Sequence, residues 1–261
     1  MLKSKNITIH RPKSQALTLA EFQFFLAGLM DADGHINKLG NIIIAFHSRD
    51  ISVAYYIKTR IGYGQISKTK HKNAVTYVCT HPIGKTLFCR YINQKLVNPD
   101  RVQQFNNRLI PKCGLPYQYF CQQRPGIPGL ENHWLAGFIQ GNGSFQVKLV
   151  SKKNRLKKEV RLVLQINLKQ LSILKQLQTL IGGFIGFRAS QNTYYYSSVS
   201  VERAAKLIQY LDHFQVMGSS ATLYWMWRKC YIIIQNKNHF NQKGIDNIEK
   251  IKAQMSKLRL N

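Results

Sequence analysis

Acidic residues are scarce in this chain: 11 Asp and Glu stand against 38 Lys and Arg, a formal net charge of +27 over 261 residues. A surface this basic repels itself unless a polyanion neutralises it. Nucleic acid is the expected partner, because phosphate contacts supply most non-specific affinity. Long apolar runs are missing too. None approaches the roughly 20 residues that a bilayer-spanning helix needs. The basic residues are also spread along the chain and not gathered on one amphipathic helix, so a membrane is not an expected partner. The basic stretch Met1 to Ser14 lacks the apolar core of a secretory signal and is compatible with a short transit peptide. Cysteine is sparse: Cys79, Cys89, Cys113, Cys121 and Cys230 contain no C-x-x-C pair, and no His pair has zinc-finger spacing. The odd count argues against a complete disulfide framework and for free thiols in a reducing compartment. Abundant Lys, Asn, Ile, Gln and Tyr suggest an A+T-rich coding genome, such as that of a mitochondrion or chloroplast.

What the chain does have is 44% hydrophobic residues, enough for one large core or two small ones. It also has an internal repeat. Phe25-Leu26-Ala27-Gly28-Leu29-Met30-Asp31-Ala32-Asp33-Gly34 is echoed, 109 residues later, by Trp134-Leu135-Ala136-Gly137-Phe138-Ile139-Gln140-Gly141-Asn142-Gly143. Each copy is followed by two strand-like runs and an apolar helical pattern ending in Ile-Gly, at Ile61-Gly62 and Ile181-Gly182. Two copies at this spacing imply duplication of a small domain and not a solenoid. The expected organisation is a first repeat over 1–110, a stiff linker over 111–130 holding four of the seven prolines, and a second repeat over 131–261. The first repeat carries 16 basic and 5 acidic residues and the second 20 and 6, so both halves should touch the polyanion.

The strands indicate which face does so. Phe145, Val147 and Leu149 alternate with Gln146, Lys148 and Val150, and Leu162, Leu164, Ile166 and Leu168 alternate with Arg161, Val163, Gln165 and Asn167. A period of two gives one apolar face for helices to cover and one polar, cationic face. The connection between these strands carries Lys152, Lys153, Arg155, Lys157 and Lys158. The same residues would make a solvated turn, but the total charge favours a phosphate grip. In the first half, His35 to Lys38 and Asn41 to His47 can form a similar hairpin around Gly40, with Lys38 and Arg49 as phosphate contacts. Ser220 to Leu260 reads as helical: an aromatic segment with Tyr224, Trp225 and Trp227 that belongs mostly to the core, then, after Gly244, an amphipathic helix from Ile245 to Lys252.

The repeated decapeptide points to chemistry. Ala-Gly inside a helix lowers its stability unless two backbones must pack closely. Two copies predict adjacent, roughly parallel helices over 22–33 and 131–142, with Ala27, Gly28, Ala136 and Gly137 at the contact and Gly34 and Gly143 ending the helices. Carboxylates just before those glycines would meet at one end and repel unless a divalent cation sat between them. Mg²⁺ held by one or two carboxylates and phosphate oxygens is the usual arrangement for phosphodiester cleavage.

Leu26 to Gly34 resembles the LAGLIDADG motif with Met30 as its one substitution, and the chain from about 15 to 255 resembles the single-chain LAGLIDADG homing endonucleases and intron maturases. The stretch from Asn238 to Ile245 is similar to the ending of fungal and algal members. The resemblance implies an α+β fold of two pseudo-symmetric halves, each an antiparallel sheet covered by helices and joined at paired motif helices. It also implies that the last acid of each motif binds the catalytic metal. Here that acid is Asp33 in the first motif, but Asn142 stands in the second, and Gln140 replaces the acid matching Asp31. The family's strand glutamine has a match in Gln165, whereas the first half places Ile43 there. The implied catalytic set is thus Asp33, a degenerate Asn142, and Gln165, with Mg²⁺ at Asp33 as the one implied cofactor.

Three functions fit. The first is a non-cleaving RNA-binding protein, an intron maturase or a structural part of an organellar ribonucleoprotein such as a ribosome, working as a monomer within it; the lost acid and the charge favour this one. The second is a DNA homing endonuclease or nickase using Asp33. The third is a DNA-binding protein without catalysis. All three make binding electrostatic. With about 6–10 phosphates contacted, affinity should fall on the order of 10³–10⁵-fold between about 50 and 200 mM salt. A titration in which affinity hardly responds to salt would remove the basic faces from consideration.

Overall fold

The computed structural model describes residues 6–69, 72–116, 119–122, 124–151 and 158–260. The first motif forms α1 (Leu19–Asp33), three residues longer at its start than the apolar pattern suggests. The extension comes from a capping box: the Thr18 side chain accepts the Glu21 N–H at 3.3 Å, and the Glu21 carboxylate accepts the Thr18 N–H at 2.8 Å. The second motif forms α6 (Trp134–Asn142), which begins later than expected because Asn132 accepts the Trp134 N–H at 2.9 Å.

Contacts divide the described residues into two compact units, Ala16–Asn142 with Val216–Gly218, and Gly143–Gln215 with Ser219–Asn261 and the stretch up to Gln15. Both motif helices lie in the first unit, so compactness does not follow the repeat boundary. Gly28 and Gly137 explain why. A methyl group on Gly28 would lie 1.9 Å from the Trp134 carbonyl oxygen, and one on Gly137 would lie 1.9 Å from the Phe25 carbonyl oxygen. Phe25 and Trp134 are repeat mates, as are Gly28 and Gly137, so the contact is reciprocal. Gly141 continues it against the Ala32 side chain. Gly34 does end α1, but with extended backbone (φ −71°) and not the left-handed turn usual for such a glycine. Its small size is what counts, since a methyl there would meet Met30 Sδ at 2.5 Å.

The rest of the first unit runs β1 (Gly34–Ile36), β2 (Ile42–His47), α2 (Ile51–Ile61), β3 (Gln65–Lys68), β4 (Ala74–Cys79), α3 (Pro82–Ile92), α4 (Pro99–Gln104) and α5 (Ile110–Cys113). Its sheet is antiparallel in the order β1-β2-β4-β3. The second unit holds β5 (Gly143–Val150), β6 (Glu159–Leu168), α7 (Leu171–Ile181), β7 (Phe184–Arg188), β8 (Thr193–Ser198), α8 (Val201–His213), α9 (Gly218–Gln235) and α10 (Gln242–Leu260), with sheet order β5-β6-β8-β7. The two sheets share one topology and one internal lock. Tyr77 donates to the Tyr63 carbonyl at 2.6 Å, and Tyr196 donates to the Gly182 carbonyl at 2.7 Å. Each ring fills the space that a neighbouring glycine leaves, Gly64 or Gly183.

The linker is held by side chains that precede it: Asn106 bonds both the N–H and the carbonyl of Cys121, at 2.8 and 2.9 Å, and Gln94 donates to the Phe120 carbonyl at 3.0 Å. Side-chain amides thus satisfy linker backbone as a neighbouring strand would. Two expectations change. On β6 the alternation breaks, with Val163 and Gln165 buried as well. The last helix starts before Gly244, which fits inside it because its bare Cα lies against the Asn238 carbonyl. Tyr224 and Trp227 are core residues, packed on Phe145 at 5.6 and 5.5 Å. All five cysteines are free thiols.

The glycine contact is directly testable. Gly28→Ala gains about 1 kcal/mol of helix propensity, yet its methyl meets backbone and not a yielding side chain. Overpacking of this kind costs about 1–3 kcal/mol, and at this distance the upper end applies. Thermal unfolding should show a clear net loss of stability. A melting temperature equal to the parent's would show that α1 and α6 are not this close.

Candidate metal site and nucleic-acid interface

Asp31 and Asp33 sit two residues apart at the end of α1 and have opposite surroundings. Asp31 is fully buried. Its carboxylate accepts the Val97 N–H at 2.8 Å, the Asn98 N–H at 3.0 Å and the Trp134 indole N–H at 2.9 Å. Burial pushes its pKa up to about 7, against the opposing pull of those donors and of Arg101. Asp31 is therefore a buried structural acceptor that ties α1 to the start of α4 and to α6. Gln140, its repeat mate, does an equivalent task, accepting the Met217 N–H at 2.8 Å. This corrects the sequence reading, which counted Gln140 as a lost site acid: the position faces a backbone loop, where an amide oxygen serves as well.

Asp33 is exposed. Desolvation by its surroundings still holds its carboxyl above the ordinary carboxylate range, while the Arg101 charge pulls the other way. Arg101 was not singled out in the sequence. It is anchored by donating from Nε to the Met30 carbonyl at 3.2 Å and supplies a fixed positive charge beside the motif acids. Across the helix pair, Asn142 donates from Nδ2 to the Ala32 carbonyl at 3.2 Å. The structure therefore brings Asn142 to the Asp33 end of α1, where the second carboxylate of a symmetric metal site would stand. Among the described residues no group of three or more His, Cys, Asp or Glu is arranged to hold a metal. One carboxylate and one amide fit at most a single hard cation that draws further oxygens from a bound phosphate.

Register identifies the strand position. Gly34 pairs with Ile44 and Gly143 with Ile166, so Ile43 and Gln165 are equivalent. Gln165, on β6 in the second unit, accepts from Gln146 at 3.4 Å and donates to Asn167 at 3.0 Å. The two sheets differ on the face opposite the core. In the first, Ile43, Ala45, Thr76 and Val78 occupy the centre, flanked by His35 and His47 and by Gln65 and Ser67 of β3. Burial and nearby arginines lower the pKa of both imidazoles, so they are neutral at pH 7. In the second, the same face carries Gln146, Lys148, Arg161, Gln165 and Asn167.

The cations expected to grip phosphate are in varied states. Lys38 is exposed in the β1–β2 turn, Arg49 is half-buried in a short turn after β2, and Lys148 is exposed opposite Arg161. Arg161 pairs with Glu159 at 2.8 Å, and Lys158 pairs with Glu249 at 2.7 Å. Such exposed pairs are worth only about 0–1 kcal/mol, so a phosphate can displace them. Lys152, Lys153, Arg155 and Lys157 lie outside the described residues. No helix among the described residues is long and apolar enough to cross a membrane.

Residues 135–231 match the family model described as LAGLIDADG endonuclease. A cox1 intron-2 37.2 kDa protein of Schizosaccharomyces pombe is 37% identical over 95% of this chain and 77% of its own length. The intron-encoded RNA maturase bI4 of Saccharomyces cerevisiae is 25% identical over 69% of this chain and 27% of its own length. Among solved structures, the meganuclease I-SmaMI bound to uncleaveable DNA superposes with a TM-score of 0.70 at 22% identity, over 89% of this chain and 98% of that one. This last likeness shows the shared fold.

The two acids should separate by mutation. Asp31→Ala leaves three buried N–H donors without an acceptor, and each unsatisfied donor costs about 1–3 kcal/mol, so the protein should lose most of its stability. Asp33→Asn should be neutral or slightly stabilising at pH 7. A raised folded-state pKa means that the charged form costs stability above the unfolded-state value, and the amide removes that charge. Denaturant unfolding of both variants decides it; a strongly destabilised Asp33→Asn would make Asp33 a structural residue as well.

Proposed function

Since the chain belongs to the LAGLIDADG endonuclease family, we propose that it is a nucleic-acid-binding member in which double-strand cleavage is lost, and that its partner is RNA. The observation that carries this reading is the Asp33–Asn142 end of the helix pair. Cutting both strands by the family's route needs a carboxylate from each motif. Replacing one by an amide removes a full negative charge from a hard-cation site. Losing one positioned electrostatic stabiliser typically costs on the order of 10²–10³ in rate. The Asn142 amide is moreover tied to the Ala32 carbonyl, and Arg101 already offsets part of the Asp33 charge. If Mg²⁺ binds, Asp33 would hold it together with nucleic-acid phosphate oxygens, and the ion would supply Lewis-acid stabilisation.

RNA is favoured over duplex DNA by the amide that replaces the second motif acid at Asn142 and by the net charge of +27. The likeness to an RNA maturase agrees. On this reading the protein is intron-encoded, works in an organelle such as the mitochondrion, and acts as a monomer within a larger ribonucleoprotein, as a maturase or a structural component. Recovering the native protein and sequencing the nucleic acid bound to it tests the partner; genomic duplex DNA as the sole cargo would overturn RNA.

A second reading, nicking of one DNA strand, is favoured by the exposure of Asp33. The cleavage assay separates the two. With Mg²⁺ and DNA carrying the recovered target, the parent protein should leave duplexes uncut, and Asn142→Asp should restore activity by on the order of 10²-fold or more. Gln140 needs no change, since its contact is structural. Efficient cutting of both strands by the parent, abolished by Asp33→Asn, would refute the loss of cleavage.

A further inference from the structure

The sheet of the second unit carries a feature that the catalytic comparison does not use. Phe184, Gly186 and Arg188 point to the same side of edge strand β7, and their β8 neighbours on that side are Ser197, Tyr195 and Thr193. This is the face opposite the core, shared with Gln165 and Asn167 of β6. Phe184 is 46% exposed and meets Tyr195 edge to face at 6.0 Å. The Tyr195 ring lies across Gly186, where a methyl group would come within 2.4 Å of it. The Arg188 guanidinium sits over the same ring, 5.2 Å from its centre. Phe184, Tyr195 and Arg188 therefore make a row of π surface ending in a cation. Asn167, exposed beside Tyr195, accepts from Gln165 through its carbonyl oxygen at 3.0 Å, which leaves its NH₂ group as a donor to a ligand.

A row built only for folding should recur in both repeats, and it does not. Tyr77 and Tyr196 are equivalent by their shared lock, so Thr76 stands where Tyr195 does, and the register then sets Gln65 and Ser67 where Phe184 and Gly186 do. Those first-sheet residues are small or polar.

We infer that Phe184, Tyr195 and Arg188 form a platform on which an unpaired base of single-stranded RNA stacks, with Arg188 meeting the flanking phosphate and Asn167 the base edge. This rests on the RNA-binding reading and deepens it. A ring face can stack only on an open base face, and in a duplex those faces are already covered by neighbouring pairs. The platform thus selects single strands, while Lys148 and Arg161, farther along the same sheet face, provide sequence-independent attraction.

The test measures fluorescence-anisotropy binding of a short single-stranded polyuridine RNA and of a duplex DNA of equal length. The Phe184→Ala/Tyr195→Ala variant should bind the RNA about 5- to 150-fold more weakly, the usual worth of a stacked base, with its affinity for the duplex and its salt dependence unchanged. Phe184→Trp should keep RNA affinity and show added tryptophan quenching on binding, which also controls for folding. RNA affinity in the double variant within roughly twofold of the parent's, or an equal loss on the duplex, would overturn the platform alone. A parent that binds only the duplex would overturn both the platform and the RNA reading.

Discussion

Two carbonyl-to-glycine contacts, Gly28 on Trp134 and Gly137 on Phe25, set the distance between α1 and α6, and much of the chain is arranged around them. Any side chain at either position would force the backbones apart. Because the contact is reciprocal between repeats, it also fixes which residues end up together further along: Ala32 with Gly141, and the Ala32 carbonyl with Asn142. Local helix stability is sacrificed at both glycines, and the burial of the large residues around them, among them Phe25, Trp134 and Phe138, compensates.

Helix geometry explains why neighbouring acids have different fates. Residues two apart on an α-helix are separated by about 200°, so when one side of α1 is pressed into the core, Asp31 is carried in with it and Asp33 is turned out. The same rotation separates Gln140 from Asn142. The inner pair needs only an acceptor for backbone N–H groups, so acid and amide both serve. The outer pair is where charge matters, since a hard cation gains far more from a carboxylate than from an amide. One kind of substitution, acid to amide, is thus structurally tolerable at position 140, and on the proposed reading it removes metal-binding charge at position 142.

The two sheets preserve topology while their exposed faces have diverged. Strand order, the glycine caps after α2 and α7, and the tyrosine locks at Tyr77 and Tyr196 all recur. The faces opposite the core do not: the first sets Ile43, Ala45 and Val78 among Thr76, Ser67 and Gln65 with neutral imidazoles at its margins, and the second adds cations and aromatic rings. Core positions are constrained by packing in both halves, whereas the exposed face answers to whatever it binds.

From the sequence alone came the duplication, the basic character of both halves, the helix pair with Gly28 and Gly137 at its contact, and the imbalance between Asp33 and Asn142. Each is carried by local pattern: a ten-residue repeat, a charge total, Ala-Gly within an apolar helix, an acid facing an amide at one aligned position. The tertiary structure decided what depends on residues far apart in the chain. It gave Asp31 its three donors from Val97, Asn98 and Trp134, set Gln140 on Met217, brought Arg101 beside the motif acids, strapped the linker down through Gln94 and Asn106, and laid Tyr195 across Gly186. A hydrogen bond across about 70 or 100 residues leaves no periodic trace, because only the folded backbone makes those groups neighbours.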